Sequence, residues 1–259
     1  MPHLFRPAPA QNRYYAWFSA LHTRLDLLLL GSQTEAEFEA AERVVHADLQ
    51  TVERMGNRFD PDSELSRAVR AASLSTTAGP DPGSHPRFNR EHTILSPALF
   101  ELLSRCLRAN TETGGLFDIT VNSPSFVPGL IHFVDLIPVG ENEGGILLLK
   151  RPDIILDLSG ILKGYALERL RLLLPTFGIT DALINLGNSS ILSLGQNPSD
   201  IPSGFCLTTS GNATAQRRHI RNPLTGKFIT GQRQVSVTTA DAIDGEILAT
   251  THFIRTAMT

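Results

Sequence analysis

The stretch "LDLSGILKGYALERL", residues 156–170, changes character half-way along. It continues an apolar run, "DIILDL" (153–158), that reads as a buried strand. From Leu162 onward apolar residues recur at helical spacing, and Pro175 ends the pattern. Ser159, Gly160, Lys163 and Gly164 lie at the junction. A strand-to-helix turn aims backbone N–H groups and the positive end of a helix into space, which suits an anion. A tightly packed corner needs glycine as well. The stretch alone therefore allows two readings. One is a phosphate-cradling turn with Asp157 and Lys163 facing a ligand; the other is a glycine-packed corner with a solvated lysine.

Working outward, "WFSALHTRLDLLLLG" (17–31) reads as strand with a glycine stop. Phe38, Ala41, Val45, Leu49 and Val52 then recur at steps of three and four, the stripe of an amphipathic helix. "RFDPDSELSR" (58–67) is a proline-containing turn into a short helix, and residues 73–90, rich in Gly, Pro, Ser and Thr, read as loop. Ser96-Pro97 combines N-cap and first-turn signals ahead of the stripe Leu99, Leu103, Cys106 and Leu107. "TETGGLFDITV" (111–121) reads as a glycine-hinged turn entering a strand. Strands are expected over 182–195, 204–211 and 234–239, with a final helix over 240–254. Helices and strands mix without strict βαβ alternation, which favours an α+β fold over a doubly wound sheet.

Composition narrows the partners. A net charge of −3 with dispersed basic residues gives no general attraction to nucleic acid. Cys106 and Cys206 are the only cysteines, so neither a disulfide framework nor a thiolate zinc site is expected. "RLDLLLLG" is too short and too charged to span a bilayer. The N-terminal residues lack an apolar run with a small-residue cleavage site, which points to the cytoplasm.

Three further segments carry groups able to do chemistry. In "TGGLFDIT" two glycines permit close backbone approach, and Asp118 either faces a ligand or caps its own backbone. In "HIRNPLTGK" His219 is a candidate ligand contact, while Asn222-Pro223 and Thr225-Gly226 read as a β-turn. In "DGEILATTHF" (244–253) Glu246 and Thr250 are i and i+4 and share a helix face. A carboxylate one turn from a hydroxyl is an oxygen-only pair, suited to Mg²⁺ when substrate phosphates complete the shell. The alternative is a surface helix whose threonine bonds its own i−4 carbonyl.

In order along the chain these segments resemble the FAD:protein FMN transferase, or ApbE, family. "DPDSELSR" is similar to its "DSE-SR" signature, "TGGLFDITV" to "G-FDITVG", and "LDLSGILKGYALERL" to "LDLGGIAKGYAVD". "LINLGNSSILSLG" resembles "LINAGGDI-G", "HIRNPLTG" resembles "HIIDPRTG", and "GEILATTHFI" resembles "ADALATALFV"; "ALHTRLDLLL" looks like the first strand. The resemblance implies a T-fold-like α+β domain of mostly antiparallel sheets with packed helices, over residues 13–259 after a flexible segment 1–12. It implies FAD and Mg²⁺, and transfer of FMN from FAD to a threonine hydroxyl of a target flavoprotein with release of AMP. Leu21, Phe59, Leu116, Phe117, Asp118, Asp157, Lys163, His219 and Ile220 are the implied FAD contacts. The Gly160 carbonyl, Glu246 and Thr250 are the implied metal ligands, and Glu246, Thr250 and Asp157 the implied catalytic groups.

The chain departs from the family pattern in places. Glu246 stands where the family has a metal-binding aspartate, one methylene shorter. Family "GGD" reads Gly187-Asn188-Ser189, and "DP" reads Asn222-Pro223, each with one carboxylate fewer. A catalytically inactive flavin-binding protein on the same fold is the alternative that follows.

Overall fold

The computed structural model describes residues 12–77, 94–214 and 219–258. Residues 1–11 of the segment expected to be flexible over 1–12, and 78–90 of the loop expected over 73–90, lie outside the described residues; residue 12 instead opens a strand and 73–77 finish a helix. Strand β1 (Asn12–Ala20) opens the described chain, followed by β2 (Thr23–Gly31), α1 (Glu35–Gly56) and α2 (Glu64–Thr77). Next come β3 (Ile94–Leu95), α3 (Pro97–Glu112), β4 (Val134–Pro138) and β5 (Gly145–Leu149). The chain closes with α4 (Leu162–Leu173), β6 (Asp181–Leu186), β7 (Ser190–Leu194), β8 (Cys206–Asn212), β9 (Arg233–Thr239) and α5 (Ala242–Thr256).

The strands form a six-stranded sheet in the order β1-β2-β6-β7-β8-β9 and a three-stranded sheet β3-β5-β4. Every described pairing is antiparallel. The α+β class and antiparallel sheets expected from sequence are therefore observed. The α1 stripe is buried as its spacing requires, and Thr34 with Glu37 forms a capping box at its start. Ser96 caps α3, and Leu99, Leu103 and Cys106 lie in the core, with Leu107 only half-buried.

Three local expectations are corrected. Residues 17–31 do not form one strand but parts of a β1–β2 hairpin, turning at Leu21 and His22 with φ of 50° and 58°. Two-residue hairpins want positive φ at both central positions and usually spend Asn or Gly there. Leu-His carries no such signal, so the turn was invisible. Second, residues 116–121 form no strand. Their backbone is bonded to nearby side chains: Phe117 N to Thr113 Oγ1 (3.0 Å), the Phe117 carbonyl to Asn110 Nδ2 (2.9 Å) and Thr120 N to Asp118 Oδ1 (2.7 Å). Local side-chain partners compete with ladder bonds. Third, residues 153–158 belong to neither sheet. They pair instead with the 119–123 loop, through Asp157 N to the Ile119 carbonyl (2.8 Å) and Ile155 N to Ser123 Oγ (2.9 Å). Buried apolar side chains alone do not distinguish such a segment from a strand.

Candidate functional site

The two glycines of the 156–170 stretch have different surroundings, and Lys163 is half-buried rather than solvated. A Cβ placed on Gly164 would meet the Ala242 carbonyl oxygen at 2.5 Å and Glu246 Cγ at 2.8 Å. Gly164 therefore lets α4 and α5 touch, and that contact presents Glu246 beside the start of α4. A Cβ on Gly160 would meet nothing within 4 Å, because Gly160 stands at the rim of an open hollow.

That hollow has a volume of about 560 Å³, within the size range of small-molecule sites. Its walls come from five distant parts of the chain: the 116–122 loop, Asp157 with the start of α4, the β6–β7 turn with β8 and β9, the 219–223 segment, and α5. A smaller hollow of about 240 Å³ adjoins it, lined by the β1–β2 turn and the segment after α1. Asp157, Ser159, Lys163, Gly187 and Ser189 line both. Leu116, Phe117, Asp118, Gly160, His219, Ile220, Glu246 and Thr250 line the larger hollow, and Leu21 and Phe59 the smaller. With Asp157 and Lys163 at the junction, each implied FAD contact and metal ligand lines one or both of these adjoining hollows.

Asp157 is held by three groups. Its Oδ1 accepts from Ser159 N (2.9 Å), its Oδ2 accepts from Asn122 Nδ2 (2.7 Å), and Arg58 Nε lies 2.8 Å from Oδ2. Lys163 Nζ donates to Ser189 Oγ across the junction. Glu246 is 3 % exposed, and its Oε1 accepts from Ser190 Oγ at 2.5 Å. Burial pushes the Glu246 carboxyl above the ordinary carboxylate range, while the Lys163 charge and the Ser190 bond pull the other way. Thr250 Oγ1 lies 3.0 Å from Ser210 Oγ, so its hydroxyl faces β8. Asp118 caps its own backbone and also borders the hollow. One oxygen takes the Thr120 N–H and hydroxyl, yet the residue lines the hollow, where burial raises its pKa against those bonds and His132.

In the smaller hollow Phe59 is 65 % exposed. The Arg58 guanidinium lies over its ring at 4.0 Å, and the His22 ring meets it edge-on at 6.3 Å. Asn57 Nδ2 and His22 Nε2 are 2.9 Å apart, tying the strained hairpin turn to the end of α1. The "NPLTGK" turn forms as expected, with Gly226 N bonded to the Asn222 carbonyl at 2.8 Å.

Sequence reading missed Arg58, Asn122, Ser189, Ser190 and Ser210. Arg58 neighbours Phe59 in "NRFDP" and was the one most open to discovery. The serines lie on or beside paired strands, and only strand register brings Ser189 and Ser210 to the hollow and Ser190 to Glu246. Among the described residues no three or more His, Cys, Asp or Glu side chains gather as a metal site.

The ApbE family model matches residues 21–126 and 131–258. The chain belongs to the ApbE family. Among curated proteins, the FAD:protein FMN transferase of Klebsiella pneumoniae (strain 342) is 25% identical over 253 residues, covering 79% of this chain and 67% of that protein. The flavin transferase ApbE from Vibrio cholerae superposes with a TM-score of 0.71 at 19% identity, over 95% of this chain and 87% of that one. The apo flavinyl transferase ApbE from Pseudomonas stutzeri gives a TM-score of 0.68 at 16% identity, over 94% and 84%. These structures share the fold of this family member. No helix among the described residues is long and apolar enough to cross a membrane.

Proposed function

We propose that the protein is an FAD:protein FMN transferase that uses Mg²⁺ to move FMN from FAD onto a threonine hydroxyl of a target flavoprotein. In this reaction the hydroxyl oxygen attacks the FMN phosphorus and gives up its proton to solvent, the anhydride P–O bond breaks, and AMP leaves with the bonding electrons. The observation that carries the reading is the convergence of residues 21, 59, 116–118, 157, 159, 160, 163, 219–220, 246 and 250 on two hollows with a shared junction. We take residues 13–259 as one FAD-binding domain.

The residues present fit the implied metal. Glu246, Thr250 and the Gly160 carbonyl are hard oxygen donors with no sulfur or imidazole among them, and they need phosphate oxygens to complete six-fold coordination. Glu246 is also a buried carboxylate whose ionised form is disfavoured by its surroundings, a condition that a cation relieves. When bound, Mg²⁺ supplies charge neutralisation at the phosphoryl oxygens. The chain's own groups do the rest. Lys163 brings a positive charge to the junction, Asp157 is held rigid to orient the sugar-phosphate part, and Phe59 offers a ring face for stacking.

The inactive-binder reading draws on Glu246, whose longer side chain is already engaged by Ser190. One experiment separates the two. The protein is incubated with FAD and a threonine-containing acceptor peptide, with and without Mg²⁺, beside Glu246→Gln, and AMP is followed by chromatography. Mg²⁺-dependent AMP with FMN on the peptide, lost in the variant, supports the transferase. Bound FAD with no AMP under any condition supports the binder.

A further inference from the structure

The Arg58–Asp157 pair has a geometry that a purely structural salt bridge does not explain. Nε is 2.8 Å from Oδ2, yet its N–H is not aligned with any acceptor, although the atom is buried. The two carboxylate oxygens already accept well-formed bonds from Ser159 N and Asn122 Nδ2. Asp157 therefore does not depend on Arg58 for its hydrogen bonding. Among the described residues the Nη groups make no hydrogen bond either; the guanidinium rests on charge and on the Phe59 face at 4.0 Å. A planar cation with unspent donors, a quarter exposed and lying in the smaller hollow, is arranged to accept an anion in bidentate fashion. The other lysine or arginine of that hollow, Lys163, is already committed to Ser189.

We propose that Arg58 binds the phosphate nearest the flavin ring and so selects phosphorylated flavins over riboflavin. The inference rests on the flavin reading above. A ring stacked beside Phe59 brings the first phosphate of its side chain towards the junction lined by Asp157 and Lys163, where Arg58 turns its Nη donors onto it. Riboflavin, which ends in a neutral hydroxyl, offers Arg58 a single uncharged acceptor in place of a phosphate.

The test measures binding rather than turnover. Affinities of riboflavin, FMN and FAD are read from flavin fluorescence in EDTA, for the natural protein, Arg58→Met and Arg58→Lys. Methionine keeps an apolar stem against Phe59 while removing charge and donors. Losing one charge-assisted contact weakens FMN and FAD by about tenfold or more in Arg58→Met while riboflavin stays within about twofold, and Arg58→Lys recovers part of the loss. An equal loss for all three flavins makes Arg58 a wall residue and overturns the proposal, as does no loss for any. A natural protein that binds none of the three refutes the flavin reading itself. If Arg58→Met fails to fold, judged by its thermal melt, Arg58→Gln takes its place with the same expectations.

Discussion

Gly164→Ala isolates the contact that brings α5 to the site. The added Cβ would lie 2.5 Å from the Ala242 carbonyl oxygen, 2.8 Å from its carbon and 2.8 Å from Glu246 Cγ. The first two are backbone of the partner helix and cannot swing aside, so α4 and α5 must separate by several tenths of an ångström. Overpacking of this kind costs about 1–3 kcal/mol. Alanine in place of glycine inside a helix returns roughly 0.5–1 kcal/mol. At the middle of both ranges the net loss is about 1 kcal/mol. With an unfolding entropy near 2.1 cal/mol/K per residue, a chain of this length should lose about 2 °C in Tm. Gly160→Ala is the matched control: its Cβ meets no atom within 4 Å, so stability should change by less than about 0.5 kcal/mol. Thermal melts by circular dichroism would be run on both variants, with Mg²⁺-dependent AMP release as the second readout, since the separation moves Glu246. A Gly164→Ala protein as stable as the natural one, or a Gly160→Ala protein equally destabilised, refutes the assignment of packing to one glycine and of the open rim to the other.

Other consequences can be checked independently. Glu246→Gln keeps a group for Ser190 to bond and removes a buried charge, so in EDTA the variant should be the more stable protein. Because folding raises the Glu246 pKa above its ordinary 4.5, the natural protein should lose stability as pH rises from that value through the folded-state pKa. Urea melts at pH 4.5 and 7.5 should thus show the advantage of the variant growing with pH; a constant difference would contradict this. Replacing Leu21-His22 by Asn-Gly supplies the residues that positive φ favours and should stabilise the hairpin by roughly 1–2 kcal/mol. The same change removes two linings of the smaller hollow, so flavin affinity should fall as Tm rises. Lys163→Met removes a cation from the junction and one of the pulls that lower the Glu246 pKa, and FAD binding should weaken by about tenfold or more.

What was legible in the chain follows from how each signal is encoded. The α1 stripe, the Ser96-Pro97 start of α3 and the α+β class were readable because helix periodicity, caps and element order are local properties. The pairing of Glu246 with Thr250 was readable for the same reason, since helical spacing alone places i and i+4 on one face. Residues 116–121 and 153–158 were misread as strands because burial and apolar content say nothing of where backbone hydrogen bonds go. Asp157 N finds its partner in the Ile119 carbonyl, a segment more than thirty positions away.

By itself the sequence determined which residue types were available and in which local frames: oxygen donors on one helix face, glycines at a turn, a lysine one residue before the second glycine. Only the tertiary structure decided that Gly164 is a contact and Gly160 a rim. That distinction depends on the 2.5 Å approach of α5, a helix about eighty residues further on. It also decided that Arg58 stands against Asp157 without a hydrogen bond between them, which no spacing rule encodes. Local frames follow from dihedral preferences within a few residues, whereas a hollow is the space left where distant surfaces fail to meet.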